Sequence, residues 1–172
     1  MAGEIEVSLQ VPIAMQAVGS CPAVAVEVRN RSDRPVWFVG VLDGSETATR
    51  YPHYQPRIMS GGTVVAAAPA ADDPLISPLR LMDFRLLPPG GAFDPTRAEG
   101  GAAWLRLSTF STFCPTARGE YEFELTVSTM SGSPEQWLGR FNQAEEAEAV
   151  RARIALVPRL TVRSNIARLR VE

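Results

Sequence analysis

The sequence contains no lysine and only one histidine, His53, among its 172 residues. A single imidazole excludes metal sites built from several histidines, and the sequence has neither a Cys-x-x-Cys pair nor the carboxylate spacing of a calcium loop. We therefore expect no metal and no cofactor. All 17 basic residues are arginines. Together with the abundant alanine, glycine and proline, this is typical of a GC-rich bacterial genome.

Long apolar runs and an excess of positive charge are absent as well. No run approaches the roughly 20 apolar residues of a membrane span, and acidic residues stand near the N-terminus, where a secretory signal has basic ones. The net charge of −2 gives no electrostatic argument for nucleic acid or an anionic membrane as partner. We expect a cytoplasmic protein in which Cys21 and Cys114 are free thiols.

Strict alternation of apolar and polar residues is clearest over residues 119–130. A period of two places the apolar side chains on one face of a strand, and here these are Tyr121, Phe123, Leu125 and Val127. The glutamates of the opposite face are predicted to pair with arginines of a neighbouring strand, among them Arg168 and Arg170. The pattern predicts a central strand with one buried face.

Other strands are predicted by the same alternation or by short apolar runs, at residues 5–11, 24–30, 36–42, 79–87, 103–109, 160–162 and 167–171. The run at 36–42 is apolar on both faces, which favours a central strand. Two insertions interrupt the strands, a long irregular one at about 43–78 and a helical one at about 131–157. In the second, Ser133 and Gln136 have the spacing of a capping box, and Trp137, Phe141 and Ala144 follow at helical spacing, with a break near Gly139 or Asn142.

This order of elements resembles the immunoglobulin-like and fibronectin-like β-sandwiches of uncharacterised bacterial proteins. The likeness is carried by residues 24–30 with the polar turn after them, Leu-Pro-Pro-Gly at 87–90, Gly-Glu-Tyr at 119–121 and Ser164-Asn165. It implies one mainly β domain over residues 1–172, an antiparallel sandwich of about seven strands in which the Tyr121 hydroxyl bonds to the backbone upstream. It also implies that Trp37, on the third strand, fills the middle of the core. Phe123 occupies the position of an antibody-domain cysteine, so no disulfide between the sheets is implied.

Function is less clearly indicated. Tyr51, His53, Tyr54 and Arg57 lie on a proline-stiffened segment of the long insertion, and aromatic side chains of this kind offer contact area with little rotamer entropy to lose. The leading hypothesis is a non-enzymatic module that binds another protein through this loop, the helical insertion or a sheet edge, as an inhibitor, immunity or assembly protein. Homo-oligomerisation is left open. The alternative is a small-ligand or carbohydrate-binding domain, or a hydrolase using His53, although no nucleophile elbow accompanies that residue.

Overall fold

A computed structural model describes residues 4–70, 75–140, 143 and 145–172, in which strands predominate over short helices. The strands are β1 (Ile5–Gln10), β2 (Met15–Gln16), β3 (Ala25–Asn30), β4 (Val36–Val39), β5 (His53–Ser60), β6 (Thr63–Ala67), β7 (Phe84–Leu87), β8 (Ala92–Phe93), β9 (Gly119–Ser128), β10 (Thr161–Arg163) and β11 (Ala167–Val171). The helices are α1 (Ser108–Ser111) and α2 (Ala147–Ile154), with 3₁₀ turns at Leu81–Asp83 and Pro134–Gln136. No helix within the described residues is both long and apolar enough to cross a membrane.

Strand β9 is the centre of the largest sheet, as its alternation predicts. It pairs antiparallel with β5 along one side, and with β11 and β10 in succession along the other. The sheet order is β2-β11-β9-β5-β6; a second sheet has the order β1-β3-β8, and β4 pairs with β7 in a third. All of these pairings are antiparallel except that of β11 with β2. The protein is therefore mainly β.

One hydrophobic core joins the inward faces of these sheets. The apolar face of β9 is buried, with Phe123, Leu125 and Val127 fully covered. Buried residues of β1, β3, β4 and β5 belong to the same cluster. On the outer face of β9, Arg168 of β11 pairs with Glu122 at 3.1 Å, as predicted, whereas Arg170 pairs with Glu172 instead.

The long insertion, expected to be irregular apart from a short β-like run at 63–65, contains two strands. Strand β6 confirms the β-like run, whereas the prediction is wrong where β5 forms. Strand β5 alternates in burial, with Tyr54, Pro56 and Ile58 buried between exposed Gln55 and Arg57. Proline inside an apolar pattern argues against a strand because it cannot donate to a ladder. Here the pairing with β6 begins at Arg57, one residue after the proline, so the β6 ladder does not include Pro56.

Two predicted strands are replaced by turns or helix. Residues 79–87 form a strand only at their end, because Asp83 accepts hydrogen bonds from the backbone and side chain of Arg80 and so closes the 3₁₀ turn before β7. This turn leaves Met82 and Leu86 about half exposed, although Phe84 is buried. Residues 103–107 are irregular, and Ser108 and Thr109 form the start of helix α1.

The helical insertion is divided, as the predicted break implies. A 3₁₀ turn at Pro134–Gln136 and helix α2 are separate elements. The predicted capping box is wrong, because the Gln136 side chain accepts a hydrogen bond from Ser131 rather than capping the helix. Trp137 is fully buried, while Phe141, Asn142 and Ala144 lie outside the described residues.

Trp37 does not fill the core, contrary to the prediction. Its neighbour Phe38 is fully buried, and Trp37 is only partly covered. The Arg153 guanidinium of α2 lies 3.7 Å from the centre of the Trp37 ring. This cation–π contact lets the large ring remain at the surface.

The expectation of two free thiols is also wrong. Cys21, before β3, and Cys114, after α1, form a disulfide with a Cα–Cα distance of 4.1 Å. The two residues are 93 positions apart in sequence. The bond links the segment entering β3 to the loop that leads to β9, a pairing that spacing alone does not reveal.

Candidate functional site

The four residues predicted to bind a partner occupy different environments. Tyr54 is completely buried, and its hydroxyl donates a 2.6 Å hydrogen bond to the Val39 carbonyl. Burial also raises the pKa of this hydroxyl well above its ordinary value. Arg57 is exposed on β5, while Tyr51 and His53 are partly buried. Tyr54 is therefore a core residue, and the prediction that it contacts a partner is corrected.

Tyr51 and His53 form a stacked pair at the start of β5. Their ring centres are 3.7 Å apart, and the Tyr51 ring lies 5.9 Å from that of buried Trp137. Partial burial lowers the pKa of His53. The imidazole makes no hydrogen bond with a carboxylate or hydroxyl of the described residues, whereas a Ser-His-Asp arrangement requires both.

A groove of about 730 Å³ lies elsewhere, between strand β3 and the chain that follows β8. One wall consists of residues 22–26, and the other includes Arg97, Ala98 and residues 104–107, continuing to the end of α1. Trp104, Leu107 and Phe110 contribute buried apolar surface. None of Tyr51, His53, Tyr54 or Arg57 lines it. The groove is thus a candidate site separate from the predicted one.

At Val26, the backbone N–H and C=O of β3 are not hydrogen-bonded to β1 and point towards this groove. Leu9 is the register partner of Val26, and the Leu9 backbone is occupied by Asn165, whose side-chain amide accepts from the Leu9 N–H at 2.8 Å and donates to the Leu9 carbonyl at 3.0 Å. Leu9 and Val26 are therefore a non-hydrogen-bonded pair of the antiparallel ladder, in which both residues direct their N–H and C=O groups away from each other. The Val26 N–H and C=O therefore point away from β1, towards the groove.

The other end of β3 shows the same alternation. Asn30 donates its N–H to Gly91 and accepts at its carbonyl from Gly90, both on the β8 side, and Val28 pairs with Phe93 of β8. Because backbone direction repeats every second residue, Val26 also directs its N–H and C=O towards the β8 side, and so does Val24, the residue just before the strand. Both line the groove, and neither uses its backbone groups in a hydrogen bond with any residue that the structure describes.

Strand β8 leaves β3 because of Pro95. Continuing the register places Pro95 opposite Val26. Proline has no N–H to donate, and its carbonyl accepts instead from Val41 at 2.8 Å. Gly40 permits this path, since a Cβ at that position would lie 2.5 Å from the Trp104 ring and 2.7 Å from the Pro95 oxygen. The chain thus turns towards Val41, beyond β4, and on the side away from β1 no described strand pairs with β3 at Val26, whose side chain is buried. We call this unpaired stretch of the β3 edge the vacant strand position.

Two long-range links hold the opposite wall. The Glu46 carboxylate accepts four hydrogen bonds, from the backbone and hydroxyl groups of Ser108 and Thr109 at the start of α1. The disulfide joins Cys114, just after α1, to Cys21, next to the Pro22 wall. Both walls are thereby fixed by groups distant in sequence.

The charges on the groove favour anions. Arg97 and Arg106 are exposed on its wall, and neither guanidinium forms an ion pair or hydrogen bond with the described residues. The acidic residue on this wall, Asp94, accepts hydrogen bonds from the N–H and hydroxyl of Thr96 at 2.8 and 2.6 Å. Two guanidinium groups without a partner among the described residues therefore line the same groove as Val26.

Three other features of the described residues are weaker candidates for a binding site. A second hollow lies among Arg118, Glu120, Arg170 and Glu172, where the last two are already paired. Within the part of the chain that the structure describes, no group of three or more His, Cys, Asp or Glu side chains is placed to hold a metal ion. Strand β6 forms an open sheet edge with Val64 and Val65 exposed, and neither of the two hollows described above is lined by its residues.

Sequence reasoning missed the groove because its parts are not adjacent. The prolines at 22 and 95 and the unpaired arginines are visible in the sequence, yet the crossing from β8 to β4 appears only in the fold. A usable signal was Pro95, which cannot continue a strand, two residues after the short run at Ala92–Phe93.

Comparisons with known proteins supply no relative. No family model matches the chain, and searches of curated proteins and of solved structures likewise find no match.

Proposed function

We propose that this protein is a non-enzymatic binding module that takes an extended segment of another protein into the groove, as an added strand beside β3. The observation that carries the proposal is the pair of unused backbone groups on Val26, next to a vacant strand position. Strand addition supplies affinity through main-chain hydrogen bonds and specificity through alternate side chains. Inhibition, immunity or assembly would each be served by this mode.

The size and walls of the groove suit such a segment. Pairing with Val26 and Val24 would form up to four backbone hydrogen bonds with a short extended stretch. Apolar side chains of that stretch would meet Leu107, Phe110 and the Trp104 ring. Because Glu46 and the disulfide fix both walls, little ordering of the protein would oppose binding.

We also propose that the fold is an immunoglobulin-like sandwich. The Tyr121 hydroxyl donates a 2.9 Å hydrogen bond to the Ala117 carbonyl, four residues upstream, which is the contact that the resemblance implies. The disulfide supports an oxidising compartment in preference to the expected cytoplasm, since disulfides persist where thiols are not kept reduced.

A second candidate surface is the stacked pair of Tyr51 and His53, with Arg57 exposed on the same strand. Tyrosine and arginine are enriched among the residues that contribute most of the binding energy at protein interfaces. This surface has no unused strand edge among the groups described above, so the groove is the stronger candidate. The ligand-binding alternative predicted around the same residues would require a hollow there, and the two hollows described lie elsewhere.

The test is selection of a displayed random-peptide library on the disulfide-bonded protein. Selected peptides are then synthesised with a single N-methyl group at each position in turn. Strand addition predicts that methylation at alternate positions abolishes binding, because only every second N–H faces β3. Selection of no peptide, or of peptides indifferent to methylation, would overturn the proposal.

Three variants locate the surface. Ala98→Trp places bulk on the exposed groove wall and should abolish binding. Val65→Lys adds a charge to the open β6 edge, and Tyr51→Ala removes the aromatic stack; neither should alter binding to the groove. Loss of binding in Tyr51→Ala alone would instead identify the aromatic surface.

A further inference from the structure

We propose that the segment bound in the groove is acidic, and that Arg97 and Arg106 select it. This inference rests on the proposed strand addition and names the chemistry of the partner. It is carried by the two arginines on the groove wall whose guanidinium groups have no partner among the described residues.

Elsewhere on the molecule arginines are commonly paired. Ion pairs hold Arg29 with Glu27, Arg34 with Glu4 and Arg168 with Glu122, and the partners lie within 3.1 Å. On a chain with a net charge of −2, two unpaired cations at one groove form a local basic site. They would attract an anionic segment and repel a basic one.

Nearby acidic groups leave a net positive charge at this site. Asp94 on the same wall forms no ion pair with Arg97, and its Oδ1 accepts both hydrogen bonds from Thr96, so the groove lining carries two positive charges and one negative. Glu99, farther along, pairs with Arg85. Guanidinium groups bind carboxylates with two hydrogen bonds, so Asp or Glu side chains of an added strand are the groups that these arginines fit.

The geometry also explains why an acidic strand would be preferred over a free anion. A small carboxylate would contact the arginines alone, whereas an acidic extended segment would also pair with Val26 and cover apolar wall. The arginines therefore provide selectivity, and the backbone edge provides the binding position.

The experiment uses the same library selection on the intact wild-type protein. Selected peptides should be enriched in Asp and Glu, and their affinity should fall as salt rises. The double variant Arg97→Glu/Arg106→Glu should bind them roughly tenfold more weakly. Its matched control, Arg118→Glu/Arg140→Glu, makes the same charge change at exposed arginines outside the groove and should leave the affinity within about twofold.

The outcomes separate this inference from the proposed function. N-methyl-sensitive peptides that lack acidic residues, or that bind Arg97→Glu/Arg106→Glu as tightly as wild type, would overturn the acidic partner and leave strand addition standing. Absence of any N-methyl-sensitive peptide would overturn both. Equal weakening by both double variants would show a general charge effect and would also refute selection by Arg97 and Arg106.

Discussion

Removing the disulfide should lower the thermal stability substantially. The bond closes a loop between residues 93 positions apart. In the chain-entropy treatment, a cross-link of that span removes about 16 cal/mol/K from the unfolded chain, equivalent to about 4.6 kcal/mol at 25 °C. For a chain of this length each kcal/mol corresponds to about 2–4 °C in Tm, so the Tm should fall by about 9–18 °C.

The assay is circular dichroism melting of oxidised wild type and of Cys21→Ser/Cys114→Ser, each with and without a phosphine reductant. Reductant should bring wild type close to the double variant and should not change the double variant. The single variant Cys21→Ser is the matched control for the loss of one thiol and should melt with the double variant. A fall of less than about 3 °C, or two maleimide-reactive thiols in the oxidised protein after unfolding, would refute the reasoning.

Three further predictions concern single side chains. Tyr54→Phe leaves the buried Val39 carbonyl without its donor and should lower the free energy of unfolding in urea by about 1–3 kcal/mol; a loss below about 0.5 kcal/mol would contradict the hydrogen bond. His53 should titrate by NMR below about 6.5. Because the unfolded chain takes up this proton first, the His53 contribution should reduce stability as the pH falls through the window just below that value. Glu46→Ala removes four acceptor contacts from the start of α1 and should lower the free energy of unfolding by about 1–3 kcal/mol, with Glu46→Gln losing less.

The sequence predicted correctly those elements whose apolar and polar residues alternate within one short segment. The alternation in β9 predicted the central strand and its buried face. The predicted ion pair between the outward-facing Glu122 and Arg168 is confirmed. Strand β5 was missed because prolines at 52 and 56 interrupt its alternation, although the buried set still recurs every second residue. Helix α1 was missed because the group that caps it, Glu46, lies 62 residues earlier in the chain.

The candidate site was beyond sequence reasoning for a similar reason. Proline and aromatic residues at 51–57 suggested a contact loop, yet Tyr54 belongs to the core. The groove depends on three non-local events: the turn of β8 towards Val41, the disulfide, and the bond of Asn165 to Leu9. Each joins residues far apart in sequence, and none leaves a periodic signal.

Amide hydrogen exchange at β3, followed by NMR, tests the central claim most directly. Glu27 and Arg29 direct their backbone groups towards β1 and should be protected in the free protein. In the same sample Val24 and Val26 should exchange rapidly, and should become protected when a peptide selected on the groove is added. Protection of Val26 in the free protein, or no change at Val24 and Val26 on peptide binding, would contradict the account.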